Sequence, residues 1–172
     1  MLMQGDAGKL SEEQYEYVQQ AYQSNDRMLG LVSELLNVSR LESGKISPEQ
    51  GEVAIGPIIE KIVSDQKESA KKQQCTLVVK LPKTLSKVYA DPTMLENIIE
   101  NFITNAIDYS ASDAATQILV SARTKGGQVV VSVKDDGIGI SPEDQEKIFT
   151  MFYRGDNAIK KRSVGTGLGL FI

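Results

Sequence analysis

The 172-residue chain has no histidine and a single cysteine, Cys75. This scarcity excludes an internal disulfide framework and a structural zinc site, and it fits a reducing compartment. A metal in this protein would be a hard cation held by oxygen. No apolar run approaches the roughly 18 residues that span a bilayer. The opening Met1-Leu-Met-Gln-Gly-Asp6 lacks the basic-then-apolar plan of a signal peptide. Basic residues are outnumbered, 19 Lys and Arg against 23 Asp and Glu, and the net charge of −4 argues against non-specific nucleic-acid binding, which needs a basic face. What is present is ordinary for a soluble globular protein: 41% hydrophobic and 24% charged residues, enough for one well-buried domain plus an appendage.

None of the five prolines falls between Ser11 and Leu41. Ser11-Glu-Glu-Gln14 reads as a capping box that opens a long helix. Val18, Tyr22, Asn25, Leu29, Val32, Leu36 and Ser39 alternate four- and three-residue steps along it, a seam suited to a bundle or coiled coil, with Asn25 and Ser39 able to fix register. The plainer alternative is a lone amphipathic helix packed on its own domain. The turn-rich stretch from Glu42 to Gly51 predicts a linker and a domain boundary, placed at 45/46. Beyond it, helices and strands alternate. Strands are expected at 52–55, 75–81, 87–90, 116–124 and 128–135, and helices at 57–72, 91–109 and 142–149. Lys125-Gly126-Gly127 predicts a hairpin turn. Residues 153–166 read as a polar loop, with a helix beginning at the final glycines. The expected architecture is α+β, a two-layer sandwich with helices on one face of a mixed sheet, preceded by the long helix.

Four motifs in this second part carry chemistry. Asn101 and Asn105 stand four apart, beside an apolar face of Leu95, Ile98, Ile99, Phe102, Ile103 and Ala106. A carboxamide there can ligate magnesium without adding charge, or both can be plain surface polars. Asp135 ends a strand and precedes Gly137 and Gly139. An ionised aspartate accepts a hydrogen bond from an exocyclic amine, and glycines let a flat ring approach the backbone, although Asp-Gly also ends strands without any ligand. Phe149 and Phe152 share one side of a turn, where packing in the core is the simple expectation. After them, Arg154, Lys160, Lys161 and Arg162 face one acid, Asp156, as a lid over a phosphate site or as a solvated loop. In Gly165-Thr166-Gly167-Leu168-Gly169, consecutive backbone N–H groups can hold an anion, though the pattern matches neither the P-loop nor the dinucleotide fingerprint.

Taken in this order, the motifs resemble the ATP-binding half of sensor histidine kinases, within the ATPase fold shared with gyrase, mismatch-repair and heat-shock chaperone ATPases. The resemblance covers nearly the whole chain. Ser39-Arg40-Leu41-Glu42-Ser43-Gly44-Lys45 looks like the exit of the second dimerisation helix, and residues 2–10 like the stretch joining the two helices. It implies that Asn101, Asn105, Tyr109, Asp135, Gly137, Gly139, Arg154, Lys160, Gly165, Thr166, Gly167, Leu168 and Gly169 bind ATP, with Asn105 the magnesium ligand. Water-splitting relatives carry a glutamate base four residues before that ligand. Here the position is Asn101, which cannot take a proton, so the resemblance implies transfer to a protein group rather than to water. Asp108 departs from the lysine or arginine that many relatives carry.

The expectation is a partial dimerisation and phosphoacceptor domain at 1–45 and an ATP-binding catalytic domain at 46–172, truncated at its end. Such a protein transfers the ATP γ-phosphoryl to histidine and then to an aspartate on a response regulator, as a cytoplasmic homodimer whose membrane contact lies in other segments. The acceptor histidine is missing, so no residue here is assigned a catalytic role and the chain alone should not autophosphorylate. Two alternatives remain: a non-catalytic nucleotide-binding or dimerisation module descended from a kinase, and an anti-sigma-factor serine kinase. The helix ahead of the domain counts against the second.

Overall fold

The computed structural model describes residues 8–44, 47–111, 116–163 and 165–172, the side chains of residues 27, 41 and 42 excepted. The chain divides into two compact units, Met1–Ile46 and Ser47–Ile172. In the first, helix α1 (Glu12–Glu42) runs for 31 residues. Its capping box forms as written: the Ser11 N–H donates to Gln14 Oε1 at 2.9 Å, and the Gln14 N–H donates to Ser11 Oγ at 3.2 Å. Of the predicted seam, Val18 is half-buried, whereas Tyr22, Leu29, Val32 and Leu36 are exposed. Met28, Leu31 and Leu35 widen the same apolar surface. The expected 2–10 connector lies mostly outside the described residues.

The second unit runs β1 (Gly51–Val53), α2 (Ile55–Asp65), α3 (Lys67–Lys72), β2 (Cys75–Lys80), β3 (Val88–Ala90), α4 (Pro92–Asp108), β4 (Thr116–Lys125), β5 (Gln128–Lys134), α5 (Pro142–Gln145) and α6 (Asp156–Lys161). Strands β2, β4 and β5 form a mixed sheet, in which β2 lies parallel and β5 antiparallel to β4; β1 and β3 form a separate antiparallel pair. The Gly126 and Gly127 φ values of 58° and 78° supply the two left-handed residues of the β4–β5 hairpin turn, which only glycine adopts freely. One sheet face is covered. Thr116, Ile118, Val120 and Ala122 of β4 are all buried on it, and Ile59 and Ile103 from α2 and α4 complete the same core at full burial.

Four expectations are corrected. The 57–72 helix starts earlier, at Ile55, and breaks at Gln66 into α2 and α3. The strand before it therefore ends at Val53 rather than 55. The 153–166 loop contains a helix, α6, because Gly155 caps a polar run whose acid stands first and whose lysines stand last, in accord with the helix dipole. Phe149 and Phe152 are each 58% exposed and do not pack in the core.

Candidate functional site

Helix α4 is the rail on which the site is built. Asp91 caps it, with Oδ1 accepting from the Thr93 and Met94 N–H groups at 2.9 and 3.1 Å and Oδ2 accepting from Glu49 N–H at 2.8 Å. These amide donors, Met94 first and Glu49 next, hold its carboxyl below the usual range. The buried face is Ile99, Ile103, Ala106 and Ile107. Ile98 and Phe102, expected on it, are turned outward at 45% and 42% exposure. The core stripe therefore lies a little to the other side of the helix than the sequence suggested.

Asn101 and Asn105 are half-buried beside this stripe, and neither carboxamide has a hydrogen-bond partner among the described residues. The other motifs gather near them. A Cβ on Gly169 would lie 3.2 Å from Asn101 Oδ1, so the final glycine turn packs on the first asparagine. At the helix end, the Tyr109 N–H donates to the Asn105 carbonyl at 2.9 Å, and the Tyr109 carbonyl accepts from the Ile138 N–H at 3.0 Å. Gly137 approaches that same carbonyl so closely that a Cβ would sit 2.4 Å from it. Asp135 closes the turn by accepting from the Gly137 N–H at 2.9 Å, and Gly139 takes a φ of 69°. Asp135 is exposed.

Phe152 is tied to the glycine motif through main chain, not through its ring. Its N–H donates to the Gly167 carbonyl at 3.1 Å, and both residues have left-handed φ, 63° and 68°. A Cβ on Gly167 would come within 2.7 Å of the Phe152 carbonyl carbon. A left-handed phenylalanine is strained, and here the glycine turn holds it. Leu168 is buried, and its N–H donates to Thr166 Oγ1 at 3.1 Å. The glycines do not open a helix within the described residues; they end in a turn, where the Phe171 and Ile172 N–H groups donate to the Leu168 carbonyl.

Arg154 works inside the loop. Its guanidinium donates to the carbonyls of Ala158, Arg162, Ser163 and Gly165. Lys160 is exposed in the last turn of α6, and no hydrogen bond or ion pair among the described residues engages it. Two contacts had no signal in the sequence. Arg162 forms an ion pair with Asp108, the last residue of α4. The Tyr153 hydroxyl donates to Asp144 Oδ1 at 2.5 Å, while Ser141 Oγ accepts from the Asp144 N–H at 3.2 Å. The Tyr153 bond lowers the Asp144 pKa and, reciprocally, raises that of the phenol. A separate groove of about 510 Å³, lined by residues that include Lys80, Leu81, Ala122 and Arg123, shares nothing with these motifs.

Among the described residues no cluster of three or more Asp, Glu or Cys could hold a metal by itself. A free, half-buried carboxamide such as Asn105 still suits a magnesium ion whose charge is met by nucleotide phosphates. No helix of the described residues is long and apolar enough to cross a membrane.

Residues 90–172 match the family model described as histidine kinase-, DNA gyrase B- and HSP90-like ATPase, and residues 1–44 match the His kinase A (phospho-acceptor) domain. The sensor-like histidine kinase SenX3 of Mycolicibacterium smegmatis is 36% identical over 146 residues, covering 85% of this chain and 37% of that protein. The sensor protein kinase WalK of Staphylococcus aureus is 32% identical over 150 residues, covering 87% and 36%. This chain therefore spans little more than a third of these relatives. Full-length ShkA in complex with AMPPNP superposes with a TM-score of 0.79 at 27% identity, over 99% of this chain and 35% of that one. The nucleotide-free catalytic domain of the histidine kinase ThkA gives 0.60 at 27% identity, over 72% and 76%.

Proposed function

Because this chain belongs to the sensor histidine kinases, we propose that residues 46–172 bind Mg-ATP as a catalytic domain and that residues 1–45 belong to a dimerising, phosphoacceptor bundle. The reaction is transfer of the ATP γ-phosphoryl to a histidine, followed by passage to an aspartate on a response regulator receiver domain. This chain contains no histidine, so the acceptor lies on residues outside it. The reading places the protein on the cytoplasmic side, where ATP is available. The exposed apolar stripe of Tyr22, Leu29, Val32 and Leu36 supports pairing of two copies through α1.

The observation that carries the ATP reading is the gathering of three motifs along one helix: Gly169 against Asn101, and the Asp135–Gly139 turn against the residue that follows Asn105 by four. Asp135 accepts the adenine amine with the oxygen that its own turn leaves free, and Tyr109 borders the ring. Gly165 to Gly169 present main-chain N–H groups to the phosphates. Asn105 holds magnesium, which when bound offsets phosphate charge. Arg154 keeps the lid folded, and Lys160 brings positive charge to it. Asn101, a carboxamide, cannot act as a base toward water, which leaves positioning of the γ-phosphoryl for a protein acceptor as the site's task.

Calorimetric titration with AMP-PNP tests this. Magnesium-dependent binding is expected, with N105A weakening it about ten- to hundred-fold and D135N also weakening it. No binding by the wild-type chain at millimolar nucleotide would overturn the proposal.

A further inference from the structure

Arg154 draws four main-chain carbonyls, those of Ala158, Arg162, Ser163 and Gly165, to a single guanidinium. A rigid fork of donors suits that task better than an ammonium would. Residues 155–163, α6 included, are thereby folded into one body. Its base is packed against its surroundings. The Phe152 N–H bonds to Gly167, and Gly155 lies so close to Asp144 that a Cβ would stand 2.5 Å from the carboxylate. At its far end Arg162, just past α6, pairs with Asp108. Asp108 follows Asn105 by three residues on α4 and is therefore its neighbour on the helix surface. The ion pair thus lies where nucleotide phosphates would arrive.

We infer that Asp108 and Arg162 are positioning residues that form a latch, holding the 155–163 segment on the end of α4 until phosphate oxygens bound near Asn105 take Arg162 from Asp108. The exchange follows from charge. A polyphosphate offers more negative charge and more bidentate acceptor sites than one carboxylate. The pair is also weak enough to open, since its side chains are 47% and 32% exposed. At such exposure an ion pair biases an equilibrium by about two- to five-fold. The competition with phosphate rests on the ATP reading above; the latch in the nucleotide-free protein does not.

Trypsin acting without nucleotide reads the latch, because Lys160 and Lys161 lie inside the latched segment. D108N is expected to speed cleavage after Lys160 about two- to five-fold. At about 1 M salt, where screening acts within roughly 3 Å, the wild type should approach the variant. R162D should also be fast, and D108R/R162D slower than R162D, because the pair re-forms with its signs exchanged. Titration with AMP-PNP and magnesium reads the competition: D108N should bind more tightly by a similar factor and R162A more weakly. Cleavage of D108N at the wild-type rate, or a charge swap no slower than R162D, would overturn the latch. Faster cleavage with unchanged affinity would overturn the competition. If no variant binds nucleotide, wild type included, the ATP reading and with it the competition fail, and the cleavage rates decide the latch alone.

Discussion

At Gly137 one missing methyl group decides whether two motifs meet. The Asp135 turn reaches Tyr109 at the end of α4 only because Gly137 has no Cβ, which would stand 2.4 Å from the Tyr109 carbonyl oxygen. G137A should push that turn off the helix and weaken AMP-PNP binding roughly ten-fold or more, the strain of overpacking being of that order. Circular dichroism should remain native, since the residue lies outside the core. The Asp144–Tyr153 pair supplies a second expectation, in pH. The Asp144 pKa is lowered, so its contribution to stability is complete above the unfolded value near 3.8 and is lost as pH falls through the lower folded value. The Tyr153 pKa is raised, so its contribution is complete below 10.0 and is lost as pH rises past the higher folded value. Y153F should therefore flatten both limbs of the stability profile measured by thermal melts from pH 2 to 11. D144N should also flatten both, because it removes the phenol's partner.

Among the elements, α4 has the clearest division of labour. Ile103 is fully buried while Ile98 on the same helix is 45% exposed. I103A should cost about 2–5 kcal/mol in urea unfolding, whereas I98A should cost less than about 1 kcal/mol. The sequence had both isoleucines on the core face, because an apolar residue at helical spacing looks the same whether it faces the sheet or its flank. Element identities were legible where local chemistry is decisive. Asp91-Pro92 and Ser11–Gln14 start helices through bonds within a few residues, and Gly126-Gly127 turns a hairpin by backbone freedom alone. The break at Gln66 carried no such mark, having neither proline nor glycine. Helix α6 was hidden by its polarity. It is held not by an apolar face but by Arg154, whose carbonyl partners run from Ala158 to Gly165.

For the molecule as a whole, the site motifs were readable as an ordered set, yet their meeting was not. Asn101 and Gly169, or Asp108 and Arg162, are brought together only by the complete fold. The missing histidine was legible outright. Incubated alone with labelled ATP, this chain should acquire no acid-labile phosphate, and recovery of such a label on it would contradict the assignment of the acceptor to other residues. The sheet has a further consequence, for the order in which it assembles. Strands β4 and β5 are joined by two glycines, whereas β2 reaches its parallel place on β4 only across a long connection that includes β3 and α4. Closing the short connection loses far less chain entropy, so the hairpin should nucleate and β2 should dock late. In stopped-flow refolding, V131A should then slow folding, and L77A should chiefly hasten unfolding.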